Sequence, residues 1–198
     1  DEGVPLGLGG GVGPRGGVYG AGRVEGWGKP GKARIWRGYD PEAVKQPIVQ
    51  ETKRLLVDGM KQRPSAELAK LLSHVDRRVR LEAQLELMRR GTDSIKLLTQ
   101  TAEGNTNLLA RLHSIWALTR FGATNLDAVQ PLLYLAKDPE AEVRGQAIRG
   151  LGEGRLLNAA AFIQAALADP SPRVRFFAAI AWGNLQRLAR DAQTDTQP

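Results

Sequence analysis

Three residues of this chain stand at a spacing that could hold a phosphate. Gly26, Gly31 and Lys32, in "GWGKPGKA" (residues 26–33), fit G-x-x-x-x-G-K. Such a loop works by aiming backbone N–H groups and the lysine at phosphate oxygens, with a following Ser or Thr on Mg²⁺ and a helix N-terminus behind. Here Ala33 stands where the hydroxyl is needed, and Pro30 removes a donor from within the loop. The next residues, "RIWRGY" (34–39), alternate as a strand does and do not open a helix. The chemistry lacks two of its parts, so no nucleotide site is expected.

Other reactive groups are sparse. The chain of 198 residues has no cysteine, which removes disulfides, thiolate metal sites, attached haem and Cys nucleophiles within these residues. His74 and His113 are its two histidines, and neither has a second ligand at helical spacing. Ser65, Ser73, Ser94, Ser114 and Ser171 fall at helix starts, turns or small-residue positions, none of them within G-x-S-x-G. Glu82 and Glu86 lie one helical turn apart but face Arg89 and Arg90, which reads as a surface charge network. No catalytic, metal or cofactor-binding residue is therefore expected in this chain, and no cofactor.

The net charge of +7 suggests an acidic partner such as nucleic acid. Its distribution argues otherwise. Residues 1–63 carry 11 Lys and Arg against 7 Asp and Glu, and residues 64–198 carry 17 against 14. No Lys-rich run is interleaved with aromatic rings as a stacking platform would be. A mildly basic solvated surface is expected, with a basic nucleic-acid groove as the lesser alternative.

The elements divide by composition. Residues 1–40 form a glycine-rich extension, expected to be largely irregular because glycine loses much backbone entropy and buries little in return. Within it "ARIWRGY" (33–39) reads as one strand whose partners are expected outside this sequence. Residues 41–63 read as a connecting helix, with Asp40 as its cap and Pro47 restarting it. Residues 64–190 read as repeated helical hairpins and residues 191–198 as a flexible tail.

The repeat is the strongest signal in the chain. Arg80, Arg111, Arg144 and Arg175 recur at intervals of 31, 33 and 31 residues. Ala83, Ser114, Ala147 and Ala178 follow each arginine by three, and Leu87, Leu118, Leu151 and Trp182 by seven. That period implies about four stacked hairpins, each burying its apolar face on the next. The small column admits close helix approach, and the leucine column fills the space one turn on. The four arginines are expected as structural rungs, paired with turn carboxylates such as Asp76, Asp138 and Asp169.

These residues resemble the HEAT repeats, whose D-P-x-x-x-V-R-x-x-A pattern stands here as "DPEAEVRGQA" (138–147) and "DPSPRVRFFA" (169–178). The resemblance implies an all-α fold, a right-handed α-solenoid of HEAT-like hairpins, acting as a scaffold or docking surface. The junction before the repeats is similar to that of membrane-associated dehydrogenases of planctomycete-type bacteria. There a propeller precedes HEAT repeats and a c-type cytochrome domain follows. The last propeller strand of that family reads W-x-x-x-G-K-G-R-I-Y-R, matched by Trp27, Gly31, Lys32, Arg34, Ile35 and Arg37, with Ala33 and Trp36 departing from it.

That resemblance implies a linker between a dehydrogenase propeller and a cytochrome c domain in a longer protein, with periplasmic or membrane-associated location. Its alternative is a fragment of a quinoprotein-type sugar dehydrogenase, redox-active only in the intact chain. Partners are expected to be protein, either flanking domains or a docking partner, with no membrane span. The docking residues expected are Phe176, Phe177 and Trp182, three large rings in the last helix where a terminal repeat should be polar.

Overall fold

The computed structural model describes residues 7–12, 17–23, 33–122, 124–154 and 156–194. It divides into two compact units, Asp1–Met60 and Lys61–Pro198.

In the first unit, β1 (Gly7–Val12), β2 (Val18–Arg23) and β3 (Ala33–Gly38) form an antiparallel sheet in the order β1-β2-β3. Gly20 stands opposite Trp36 and Ala21 opposite Ile35. This corrects the expectation that the partner strands lie outside this sequence. The described residues of the glycine-rich extension include two further strands, and the strand at 33–38 finds its partner inside this chain. Strand propensity is carried by branched and aromatic side chains, which glycine lacks, whereas the ladder is made by backbone groups that glycine has. The residues of the phosphate-loop spacing, Gly26 to Lys32, lie outside the described residues; Ala33 opens β3 and no helix follows it directly. Asp40 accepts from the backbone N–H groups of Glu42 and Ala43 at 2.8 and 3.2 Å, opening a short 3-10 turn. Helix α1 (Pro47–Asp58) then starts with proline at its first position.

The second unit is helical throughout its regular elements. Four hairpins follow: α2 (Ser65–Leu71) with α3 (Arg77–Arg89), α4 (Ile95–Gly104) with α5 (Leu108–Phe121), α6 (Pro131–Leu135) with α7 (Ala141–Glu153), and α8 (Ala160–Ala166) with α9 (Pro172–Thr194). Each second helix packs on the second helix of the next hairpin, α3 on α5, α5 on α7 and α7 on α9. The small column at Ala83, Ser114, Ala147 and Ala178 is fully buried along this seam. Ser114 satisfies its hydroxyl by donating to the Ala110 carbonyl at 2.9 Å. Leu87, Leu118 and Leu151 are fully buried as well, while Trp182 in the same column is half-buried.

Helix α9 differs from its predecessors in length. Helix α7 ends at Glu153 with Gly154 after it, but the position 31 residues on is Leu185, buried inside a continuing helix. The helix runs to Thr194, past the boundary at 190 expected for the tail.

Candidate functional site

The four turns joining first and second helices share one local device. The residue six before each repeat arginine is His74, Asn105, Asp138 or Asp169. Each accepts a hydrogen bond from the backbone N–H two residues on, at 2.9, 2.8, 2.9 and 2.8 Å in chain order. A short polar side chain that captures its own backbone tightens the turn and positions the following helix start. Arg80, Arg144 and Arg175 each then reach back to two turn carbonyls. Arg144 Nη1, for example, donates to the Asp138 and Pro139 carbonyls at 2.9 and 3.0 Å, and Arg175 Nη1 to those of Asp169 and Pro170 at the same distances.

The guanidiniums of Arg80, Arg111 and Arg144 also reach the next hairpin. Arg144 Nε and Nη2 grip both oxygens of Asp169 at 2.8 and 2.9 Å. That hydrogen bond outweighs burial and holds the Asp169 carboxyl below the usual carboxylate range. Arg111 grips both oxygens of Asp138 through Nη1 and Nη2 instead, and its Nε donates to the Ala102 carbonyl at 2.7 Å. Two rungs are thus ion pairs between successive hairpins. The first is different, because Asn105 stands where its carboxylate would be. There Arg80 Nε donates instead to His113 Nε2 at 3.2 Å. Asp76 belongs to no rung; it caps α3 and pairs with Arg78 at 2.7 Å.

A polar seam missed by sequence reasoning links the second helices. His113 on α5 meets Arg80 and Gln84 of α3 and packs edge-on against Trp116, 4.8 Å between centroids. Trp116 Nε1 donates to Gln146 of α7 at 2.9 Å, Gln146 donates to Glu142, and Arg173 of α9 donates to Glu142 at 3.0 Å. Burial works to raise Glu142, but Arg173 and Gln146 outweigh it and hold it below its ordinary value. A groove of about 310 Å³ opens beside the seam, lined by Gln84, Trp116, Arg120, Gln146 and Arg149 among others. Periodicity could not find these residues, since Glu82, His113, Gln146 and Phe177 occupy one repeat position with four different chemistries.

The last helix holds the expected docking residues, and they separate. Phe177 is buried against α7, where Gly145 makes room for it: a Cβ on Gly145 would lie 3.2 Å from the ring. Arg173 stands over that ring at 5.1 Å. Phe177 is thus no part of an exposed surface, contrary to the sequence expectation. Trp182 is half-buried. Phe176 is 60% exposed and meets Phe177 edge-on at 5.5 Å.

Phe176, Ala179, Ile180 and Gly183 are all exposed on one stripe of α9. One period earlier the same positions on α7 are Gly145, Ile148, Arg149 and Gly152. There Gly145 faces Val174 and Phe177, a Cβ on Gly152 would come within 2.5 Å of Ala181, and Ile148 is fully buried. This face of α7 receives α9, and the corresponding face of α9 receives nothing among the described residues. At Gly183 a Cβ would meet open space. Arg175 beside the stripe makes its two turn bonds and, among the described residues, no inter-hairpin rung.

Among the described residues no cluster of three or more His, Cys, Asp or Glu could hold a metal, and no helix is long and apolar enough to cross a membrane. A family model for HEAT repeats matches residues 129–194, which takes in the last two hairpins. Comparison with curated proteins yields no match. The chain thus carries HEAT-like repeat content, and repeats of this kind commonly mediate protein interactions.

Proposed function

We propose that this chain is a non-catalytic HEAT-repeat scaffold segment, a right-handed solenoid that holds a protein partner on the outward face of α9. The observation that carries the reading is the equivalence of two helix faces. Phe176, Ala179 and Gly183 occupy positions that α7 buries beneath the next hairpin as Gly145, Ile148 and Gly152, yet with Ile180 they stand uncovered among the described residues. An apolar stripe that ends in a glycine is costly to leave in water and is suited to a close helix crossing.

The experiment compares the tagged chain with a Phe176→Asp, Ile180→Asp variant in co-purification from source cells. A partner lost only from the variant, with an unchanged melting curve, supports the reading. An identical set of retained proteins overturns it. Oxidation of a sugar with a dye acceptor by the isolated chain would also defeat the non-catalytic part.

We further propose a linking place in a longer protein, between a dehydrogenase propeller and a cytochrome c domain. Its support is the likeness of Trp27, Gly31, Lys32, Arg34, Ile35 and Arg37 to the closing propeller strand of the bacterial dehydrogenases, followed by one helix and the repeats. Coding sequence flanking this segment tests it: a β-rich propeller upstream and Cys-x-x-Cys-His downstream are expected, and start and stop codons bracketing these residues would remove the proposal.

A further inference from the structure

We infer that the partner seated on α9 presents a helical hairpin with a carboxylate in its connecting turn, and that this carboxylate binds the open edge of Arg175. The inference rests on α9 being a docking face and adds the chemistry of what docks. Arg111 and Arg144 each use one guanidinium edge to grip both oxygens of an aspartate in the next hairpin's turn. Arg175 has the setting of Arg144. Its Nη1 bonds the Asp169 and Pro170 carbonyls, which fixes the guanidinium as Arg144 is fixed, and its Nε and Nη2 carry no partner among the described residues. A planar fork held in place beside an apolar stripe selects a carboxylate at a set distance from an apolar helix.

The side chains of the stripe narrow the partner further. Helix α7 receives a phenylalanine because Gly145 leaves space for it. On α9 the same position is Phe176, and the next large position is Ile180. Helix α5 carries Leu112 and Trp116 at these positions and is covered by α7, which brings the small residue Gly150 against Thr119 of α5. The partner helix is therefore one with small residues at its crossing, like α7, and an acidic turn before it, like Asp138. A second copy of this chain fits less well, since its first turn offers His74 where the carboxylate is needed.

The probe is a copy of residues 125–154, joined by a Gly-Ser linker to the end of the full chain. With no native cysteine, Ala179→Cys places a single thiol on the stripe, and its rate of maleimide labelling reports cover. The attached copy is expected to slow labelling about tenfold or more, the range of a charge-assisted bond added to apolar contact. Asp138→Ala within the copy, or Arg175→Ala in the host, should return most of that rate, and both together no more than either. Asp138→Ala in the copy leaves the host hairpins intact, so its effect cannot come from host misfolding. Slowed labelling indifferent to both substitutions overturns the carboxylate and leaves α9 as an apolar docking face. Labelling that slows with chain concentration in the absence of the copy makes a second copy the occupant and overturns the inference. Undiminished labelling under every condition overturns the inference and the docking reading together.

Discussion

His113 accepts a hydrogen bond at Nε2 from Arg80 Nε, 3.2 Å away, and its Nδ1 lies 2.7 Å from Gln84 Oε1. Arg80 can only donate, so Nε2 is the acceptor and Nδ1 carries the proton to Gln84. The ring is neutral. Burial, with the Arg80 charge second, lowers its pKa to about 4.

That pair gives the stack a pH dependence with a definite sign. The unfolded chain takes up a proton near pH 6.5 and the folded chain only near 4. Stability contributed by the neutral ring is full above pH 6.5 and is lost as pH falls toward 4. The loss is on the order of 3 kcal/mol across that window. Urea midpoints at pH 7.5 and pH 5 should differ in the native chain and differ much less in His113→Gln, which cannot take the proton.

The two glycines at one repeat position should respond oppositely to alanine. At Gly152 the added carbon would stand 2.5 Å from Ala181 Cβ, forcing α7 and α9 apart at a cost of about 2 kcal/mol. At Gly183 it meets nothing, and helix propensity alone should stabilise the chain by up to about 1 kcal/mol. Thermal melts of the two variants decide it.

Phe176 and Phe177 are neighbours with different consequences. Phe177→Ala removes a buried ring and should cost about 3 kcal/mol. Phe176→Asp should stay within about 0.5 kcal/mol of the native melt, because the ring is mostly in water. Partner capture should follow the reverse order, lost with Phe176→Asp and tied to folding alone in Phe177→Ala.

Rungs should differ from caps. Asp169→Ala strips the Nε and Nη2 edge of Arg144 and the bond to the Ser171 N–H, leaving a partly buried guanidinium uncompensated. A loss of about 3 kcal/mol is expected. Arg175→Ala removes two carbonyl bonds at an exposed site and should cost nearer 1 kcal/mol. Denaturant titration of both variants checks the ordering.

The repeat was legible because four arginines and their small and leucine columns recur at one period, and a period implies stacking whatever the surroundings. The rung partners were legible only where the turn residue is aspartate. At Asn105 the pattern breaks, and Arg80 turns to a histidine on the next helix that no spacing would pair with it. The seam through Trp116, Gln146 and Glu142 joins positions that differ between hairpins, so its chemistry emerges only once α5 and α7 lie side by side. The glycine-rich strands were illegible for the opposite reason. Their pairing is made of backbone, which every sequence has and which side-chain patterning does not report.

Asn105 also has a mechanical consequence. Hairpins joined only to their neighbours share a stretching load in series, so every joint bears the same force and the softest one yields first. The joints from α5 to α7 and from α7 to α9 are cross-braced by Arg111 on Asp138 and Arg144 on Asp169. The joint from α3 to α5 has a neutral imidazole in place of that brace. Under tension the second unit would part there, with its last three hairpins travelling as one stiff block.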